Sequence, residues 1–185
     1  MSARLKIRGL VLARGGRVLI DGLDLTLRDG EALHVAGANG AGKSSLLRAI
    51  AGLLRPVAGT INHDGVALAD EALALDRELP LRRALDLWGV TGRMDSAMAA
   101  LGLERLADVP VRMLSTGQAK RARLARVAAS EARLWLLDEP LNGLDANGVA
   151  LLADAIAGHR AGGGAVIAAS HVALPGEWRR IEVGA

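Results

Sequence analysis

The sequence predicts an α/β fold with a parallel sheet covered on both faces, and three features carry that expectation. Two continuously apolar strand candidates, 134–138 (LWLLD) and 165–169 (AVIAA), alternate with helical stretches, the pattern of strands buried between layers of helices. A glycine-rich stretch, Gly37 to Gly42, joins a strand-like run to a helix-like one. The N-terminal 36 residues consist of short apolar runs separated by turn residues.

Taken in order, Leu5, Ile7 and Leu10, then Val18–Ile20, then Leu23, Leu25 and Leu27, then Leu33–Val35 form the first runs. Gly15-Gly16, Asp21-Gly22 and Asp29-Gly30 interrupt them, which predicts β-strands joined by tight turns. After Gly42 the period changes to that of a helix, with Leu46, Leu47, Ile50 and Leu54 on one side and Gly52 near its end. Thr60–Ile61 and Val66 suggest another short strand. Residues 81–107 read as helical, with Leu81, Leu85 and Trp88 in one stripe and Met94, Ala97, Met98 and Leu101 in a second. Those methionines are expected to fill a core. A basic helix is predicted over 115–132 and another helix over 147–160. The chain ends soon after Trp178-Arg179-Arg180, and no appended regulatory domain is expected there.

Composition narrows the function. The 185 residues are 51% hydrophobic and 23% charged, the balance of a folded chain of about one domain. No window approaches the roughly 18 uninterrupted apolar residues of a membrane span, and Arg4, Lys6 and Arg8 break any secretory signal in the first ten. A cytosolic location is expected. The absence of cysteine removes disulfides, thiolate metal sites and cysteine nucleophiles together. The net charge is only +3, and with three Trp, no Phe and no Tyr there are few rings on which bases could stack. No nucleic-acid partner is expected.

The strongest local signal is Gly37-Ala38-Asn39-Gly40-Ala41-Gly42-Lys43-Ser44, a full match to G-x-x-x-x-G-K-[ST] between a strand and a helix. Such glycines let the backbone wrap a phosphate chain, so that N–H groups and the helix N-terminus face its oxygens. Lys43 adds a positive charge at the β- and γ-phosphates, and Ser44 offers a hydroxyl to Mg²⁺. The second signal is the strand ending in Asp138-Glu139. Ligands of parallel sheets bind at the carboxyl ends of strands, where Asp138 can hold Mg²⁺ and Glu139 can polarise an attacking water. His171 follows the strand AVIAA in the same manner and could donate to a γ-phosphate. Leu114-Ser115-Thr116-Gly117-Gln118 opens the basic helix, and spacing alone allows either a capping box of Ser115 with Gln118 or an anion site.

With these residues in hand, the chain resembles the ATP-binding subunits of ABC transporters along nearly its whole length. Gly37–Ser45 looks like their Walker A loop, Leu114–Gln118 like their LSGGQ signature and Leu134–Glu139 like their Walker B strand. Gly143-Leu144-Asp145 looks like their D-loop, and His171 like their switch histidine. The resemblance implies a mostly parallel core sheet with an N-terminal antiparallel part, in one nucleotide-binding domain over 1–185 with a small helical subdomain inserted at about 70–130. It implies ATP and Mg²⁺ as cofactors, with Glu139 as catalytic base, His171 beside it, Ser44 and Asp138 at the metal, and Gly37 to Ser45 around ATP. It also implies a homodimer that sandwiches two ATPs, in which each phosphate loop faces the partner's Ser115, Thr116, Gly117 and Gln118, with Asp145 nearby.

Within that family, Arg14-Gly-Gly-Arg17, Ala41–Leu54, Leu85-Asp-Leu-Trp88 and His159–His171 look most like the ATP-binding export subunits of bacterial cytochrome c biogenesis, the haem-exporter group. That resemblance implies an integral membrane permease partner and a peripheral position on the cytoplasmic side of the inner membrane. Three departures stand out. Gln118 is the only glutamine, so the Q-loop glutamine is missing, and Asp70, Glu71 and Asp76 are the candidates in its region. The adenine-stacking aromatic is absent, and Arg14 lies where its guanidinium plane could substitute. Thr116 stands in place of the first signature glycine and is expected to weaken the dimer site. The competing readings are a soluble ABC-type ATPase acting on ribosomes or DNA, an ABC ATPase for another cargo, and a nucleotide-binding regulator without turnover.

Overall fold

The computed structural model describes residues 3–70, 75–88 and 93–184. The chain falls into two compact units, one of Met1–Leu68, Ala132–Pro140 and His159–Ala185, the other of Ala69–Glu131 and Leu141–Gly158.

The first unit opens with a long hairpin. Strands β1 (Ala3–Arg14) and β2 (Arg17–Arg28) pair antiparallel, and β4 (Ala58–His63) joins the other edge of β1. The two-residue turn Gly15-Gly16 has φ of 58° and 78°, the left-handed pair that matches strand twist in a tight hairpin. Asp21-Gly22, expected as a turn, lies inside β2 instead. The register steps from Leu10↔Leu23 to Leu12↔Ile20, so β2 holds one extra residue there as a bulge while the strand continues.

A second sheet runs β5 (Val66–Ala69), β6 (Leu134–Asp138), β7 (Ala165–Ala169), β3 (Ala32–Ala36) and β8 (Arg179–Glu182). The pairs β6·β7, β3·β7 and β3·β8 are parallel. Every residue of β3, β6 and β7 is buried, as their apolar runs require. Helix α1 (Lys43–Ile50) packs on β6 and β7. The region around Thr60 and Val66 supplies two strands in different sheets, and the charged edge strand β8 was not foreseen.

Register then dictates the site. Asp138 pairs with Ala169, and Val35 pairs with Ala169 from the other side. The residues that next leave the sheet are therefore Glu139, Ser170-His171 and Gly37, at one common edge.

In the second unit lie α2 (Leu81–Asp86), α3 (Met94–Ala100), α4 (Thr116–Ala129) and α5 (Ala146–Ala161) up to Gly158. Leu81, Leu85, Met94, Met98 and Leu101 are buried, so the methionines do serve packing. The single helical stretch expected over 81–107 is instead two short helices and a 3-10 turn, with 89–92 outside the described residues. Trp88 is 41% exposed and carries the Arg126 guanidinium 4.6 Å above its ring rather than joining the core stripe. Among the described residues no helix is long and apolar enough to cross a membrane.

One packing contact makes stability depend on pH. His159 stacks on Trp135 with centroids 3.9 Å apart and planes 14° from parallel. Burial holds the imidazole below its ordinary value, against backbone hydrogen bonds that raise it. Below about pH 6.5 the unfolded chain therefore takes up a proton that the folded chain resists. Stability is full above that pH and falls as the pH drops through the folded value. Thermal unfolding followed from pH 8 to pH 5.5 (about the range in which histidine titrates) will show this loss, and His159→Gln will reduce it.

Candidate nucleotide site

Strand β3 ends at Ala36 and α1 begins at Lys43, so Gly37–Gly42 must turn the chain within six residues. Glycine is required where the turn is tightest. A Cβ on Gly37 would lie 2.6 Å from the Val183 carbonyl oxygen, and Gly42, at φ 106°, would bring one within 3.1 Å of Leu19 Cβ. Gly42 is also the N-cap of α1 and supplies no side-chain acceptor to its first turn. The opening N–H groups of the helix are thus left for an outside anion, favoured also by the helix dipole. A cavity of about 500 Å³ lies against this loop, lined by Asn39, Gly40, Gly42, Lys43, Ser44 and Ser45, by Glu139, and by Arg14, Arg17 and Leu19.

Lys43 is 6% exposed, and its Nζ donates to the carbonyls of Gly37 at 2.8 Å and Ala38 at 3.1 Å. Its charge lies 3.9 Å from Glu139 Oε1. Ser44 Oγ donates to Asp138 Oδ1 at 3.0 Å, joining the start of α1 to the end of β6. Glu139 is the only non-glycine among the described residues with a left-handed backbone, at φ 44°. That conformation costs about 1–2 kcal/mol for a residue with a Cβ. The Glu139 N–H donates to Ala169 O at 2.8 Å, so the strained residue is held by the neighbouring strand. Its carboxylate accepts from His171 Nδ1 at 2.9 Å. Strain at the one acid that faces both Lys43 and His171 marks a position set by chemistry rather than by packing.

The structure thus brings together Gly37, Ala38, Asn39, Gly40, Ala41, Gly42, Lys43, Ser44 and Ser45 with Asp138, Glu139 and His171. Arg14 lines the same cavity. Arg17 was missed, although the signal was available: a two-residue turn makes Arg14 and Arg17 cross-strand neighbours.

The second unit holds the remaining residues. Ser115 and Gln118 form the full capping box at the start of α4: Ser115 Oγ accepts from Gln118 N–H, and Gln118 Oε1 accepts from Ser115 N–H. Both Ser115 and Thr116 stay exposed. Gly117 meets the loop before α5 so closely that a Cβ would lie 2.8 Å from Gly143 O. Asp145 Oδ1 accepts from Gly148 N–H at 2.7 Å and caps α5.

Of the candidates for the absent glutamine, Asp70 is 5% exposed and acts electrostatically on Arg126. Burial lowers the Arg126 guanidinium from its ordinary value, and Asp70 raises it. Asp76 accepts from the Glu78 N–H. Glu71 lies outside the described residues.

A cavity of about 500 Å³ on a glycine-rich helix start, with a lysine, a hydroxyl–carboxylate pair and a strained glutamate around it, has the chemistry to hold a nucleoside triphosphate and activate a water beside it. A family model described as ABC transporter matches residues 20–142, and the chain belongs to that family of ABC-type ATPases. It is 56% identical over 180 residues to the cytochrome c biogenesis ATP-binding export protein CcmA of Sphingopyxis alaskensis, covering 94% of this chain and 93% of that protein. It is 58% identical over 162 residues to the protein of the same name from Novosphingobium aromaticivorans, covering 87% and 85%. A solved ATP-binding subunit of an ABC transporter shares the fold with a TM-score of 0.82 at 23% identity, over 91% of this chain and 79% of that one.

Proposed function

We propose that this chain is the ATP-hydrolysing subunit of a transporter serving cytochrome c biogenesis, and that it works as an ATP-sandwich homodimer on an integral membrane permease. The observation that carries the hydrolytic part is the meeting of Lys43, Ser44–Asp138 and Glu139–His171 at one sheet edge. The export role rests on the likeness to the Sphingopyxis protein over almost the full length of both chains. In this reading 1–185 form one nucleotide-binding domain, with about 70–130 as its helical insertion, placed peripherally on the cytoplasmic side of the bacterial inner membrane.

The triphosphate occupies the loop 37–44, and Lys43 Nζ exchanges two carbonyl acceptors for β- and γ-phosphate oxygens. Ser44 Oγ and Asp138 Oδ1 are the two hard oxygen donors beside the phosphates. No group of three or more His, Cys, Asp or Glu that could hold a metal occurs among the described residues. That donor set fits Mg²⁺, which binds through one or two protein oxygens and completes its shell with phosphate and water. Held by Ser44 and Asp138, Mg²⁺ would supply neutralisation of the phosphate charge. Glu139 accepts the proton of a water whose oxygen bonds to the γ-phosphorus as the bond to ADP breaks. His171 orients that water and the γ-phosphate. In the dimer, Ser115 and Gly117 of one copy close over the nucleotide of the other, so ATP binding and hydrolysis drive closing and opening.

The test is genetic and direct. In the source bacterium, deletion of the chain or the substitution Lys43→Ala will abolish haem-stained c-type cytochromes, and the tagged wild type will restore them and co-purify with an integral membrane protein. Unchanged c-type cytochromes, or recovery of the tagged chain on ribosomes or DNA, would refute the reading.

A further inference from the structure

We propose that His34, a buried residue outside the family's motifs, is a positioning residue for hydrolysis that sets the place of His171; the inference rests on the hydrolytic reading above. Strand β3 is otherwise apolar, ALHVA, and every one of its residues is buried. An imidazole there is costly unless its polar atoms are paired. His34 is 8% exposed, and its Nε2 lies 3.0 Å from the Ser170 carbonyl oxygen. A carbonyl only accepts, so Nε2 carries the proton and donates.

Ser170 is the residue at which β7 leaves the sheet. Its N–H still reaches Val35 O at 3.2 Å, but its carbonyl lies past the last parallel pair, Val35 with Ala169. The His34 ring takes the place that a ladder N–H would have held. On the far side, Ser170 Oγ accepts from Val172 N–H at 3.1 Å. The backbone on both sides of His171 is thereby fastened, and His171 Nδ1 meets Glu139 Oε2 at 2.9 Å. Three residues after His34 the same strand becomes the phosphate loop at Gly37. His34 therefore ties the switch histidine to the strand that carries the phosphates. A cavity of about 450 Å³, lined by His34 and His171 together with Trp178 and Arg180, leaves the 171–174 loop without dense packing on that side. The hydrogen bond, rather than close packing, fixes it.

The deciding experiment compares full-length wild type, His34→Phe, His34→Gln, His171→Ala, Glu139→Gln and the double variant His34→Phe/His171→Ala by steady-state phosphate release against ATP concentration. Phe keeps the ring volume without a donor, and Gln returns a donor N–H at a similar reach. Loss of the tether is expected to lower kcat about 10-fold, since displacements near 1 Å cost up to roughly 10²-fold. KM for ATP stays within about twofold because the phosphate loop is untouched, and His34→Gln recovers most of the rate. In the His171→Ala background, His34→Phe costs nothing further. An unchanged kcat in His34→Phe, or an equal loss with and without His171, overturns the proposal. If His34→Phe does not fold, His34→Leu takes its place, and failure of both to fold also overturns it in favour of a purely structural role. Full turnover in His171→Ala and Glu139→Gln would instead sink the hydrolytic reading on which the inference rests.

Discussion

Replacing Glu139 by Gln will stop ATP turnover while leaving ATP bound. The amide keeps the size of the side chain and can still accept from His171 Nδ1 through its remaining carbonyl oxygen, the contact now made at 2.9 Å. It cannot accept the proton of the attacking water. Loss of a general base costs about 10²–10⁴-fold in rate. The change also removes a negative charge that stands 3.9 Å from Lys43 and would face the γ-phosphate, so ATP affinity holds or rises. ATP-loaded dimers then accumulate because the step that opens them is blocked. Phosphate release, with size-exclusion chromatography in ATP, reads both effects. Turnover within about threefold of wild type would remove Glu139 from the role of base.

Lys43→Ala acts on the other half of the site. The ammonium is buried, and it is held ready by two carbonyls of the loop it serves. On binding, it supplies charged hydrogen bonds to phosphate, each worth about 1.5–3 kcal/mol in net stabilisation. Calorimetry will show ATP affinity falling by roughly 10–100-fold, with no comparable loss of thermal stability, because the two freed carbonyls can turn to water in the open cavity. Unchanged affinity would mean that the loop is not where phosphates bind.

Much of this was legible from local chemistry. The strand 134–138, the loop 37–44 and the acids at the strand end are visible because each needs particular residue types at fixed spacing. His171 was legible for the same reason, once AVIAA was read as a strand beside LWLLD. What escaped depends on partners distant in sequence. The bulge at Asp21-Gly22 continues a strand that turn chemistry alone would end, because β1 offers a pairing edge on both sides of it. Strand β8 has the sequence RRIE and no apolar alternation to announce it, since it lies on a sheet edge. The choice at Ser115 between capping box and anion site could not be made from spacing, and the reciprocal bonds with Gln118 show that the cap is formed. Asp70, a candidate for the missing glutamine by position, is buried and acts on Arg126, a charge 56 residues away along the chain that no local pattern could pair with it. The left-handed backbone of Glu139 has no sequence signature of its own.

A crystal structure with Mg²⁺ and a non-hydrolysable ATP analogue examines the whole account at its narrowest point. It should show the β- and γ-phosphates inside the Gly37–Ser44 turn, Lys43 Nζ moved from the Gly37 and Ala38 carbonyls onto phosphate oxygens, and the metal between Ser44 and Asp138. A nucleotide lodged elsewhere, with Lys43 still bound to its own loop, would contradict it.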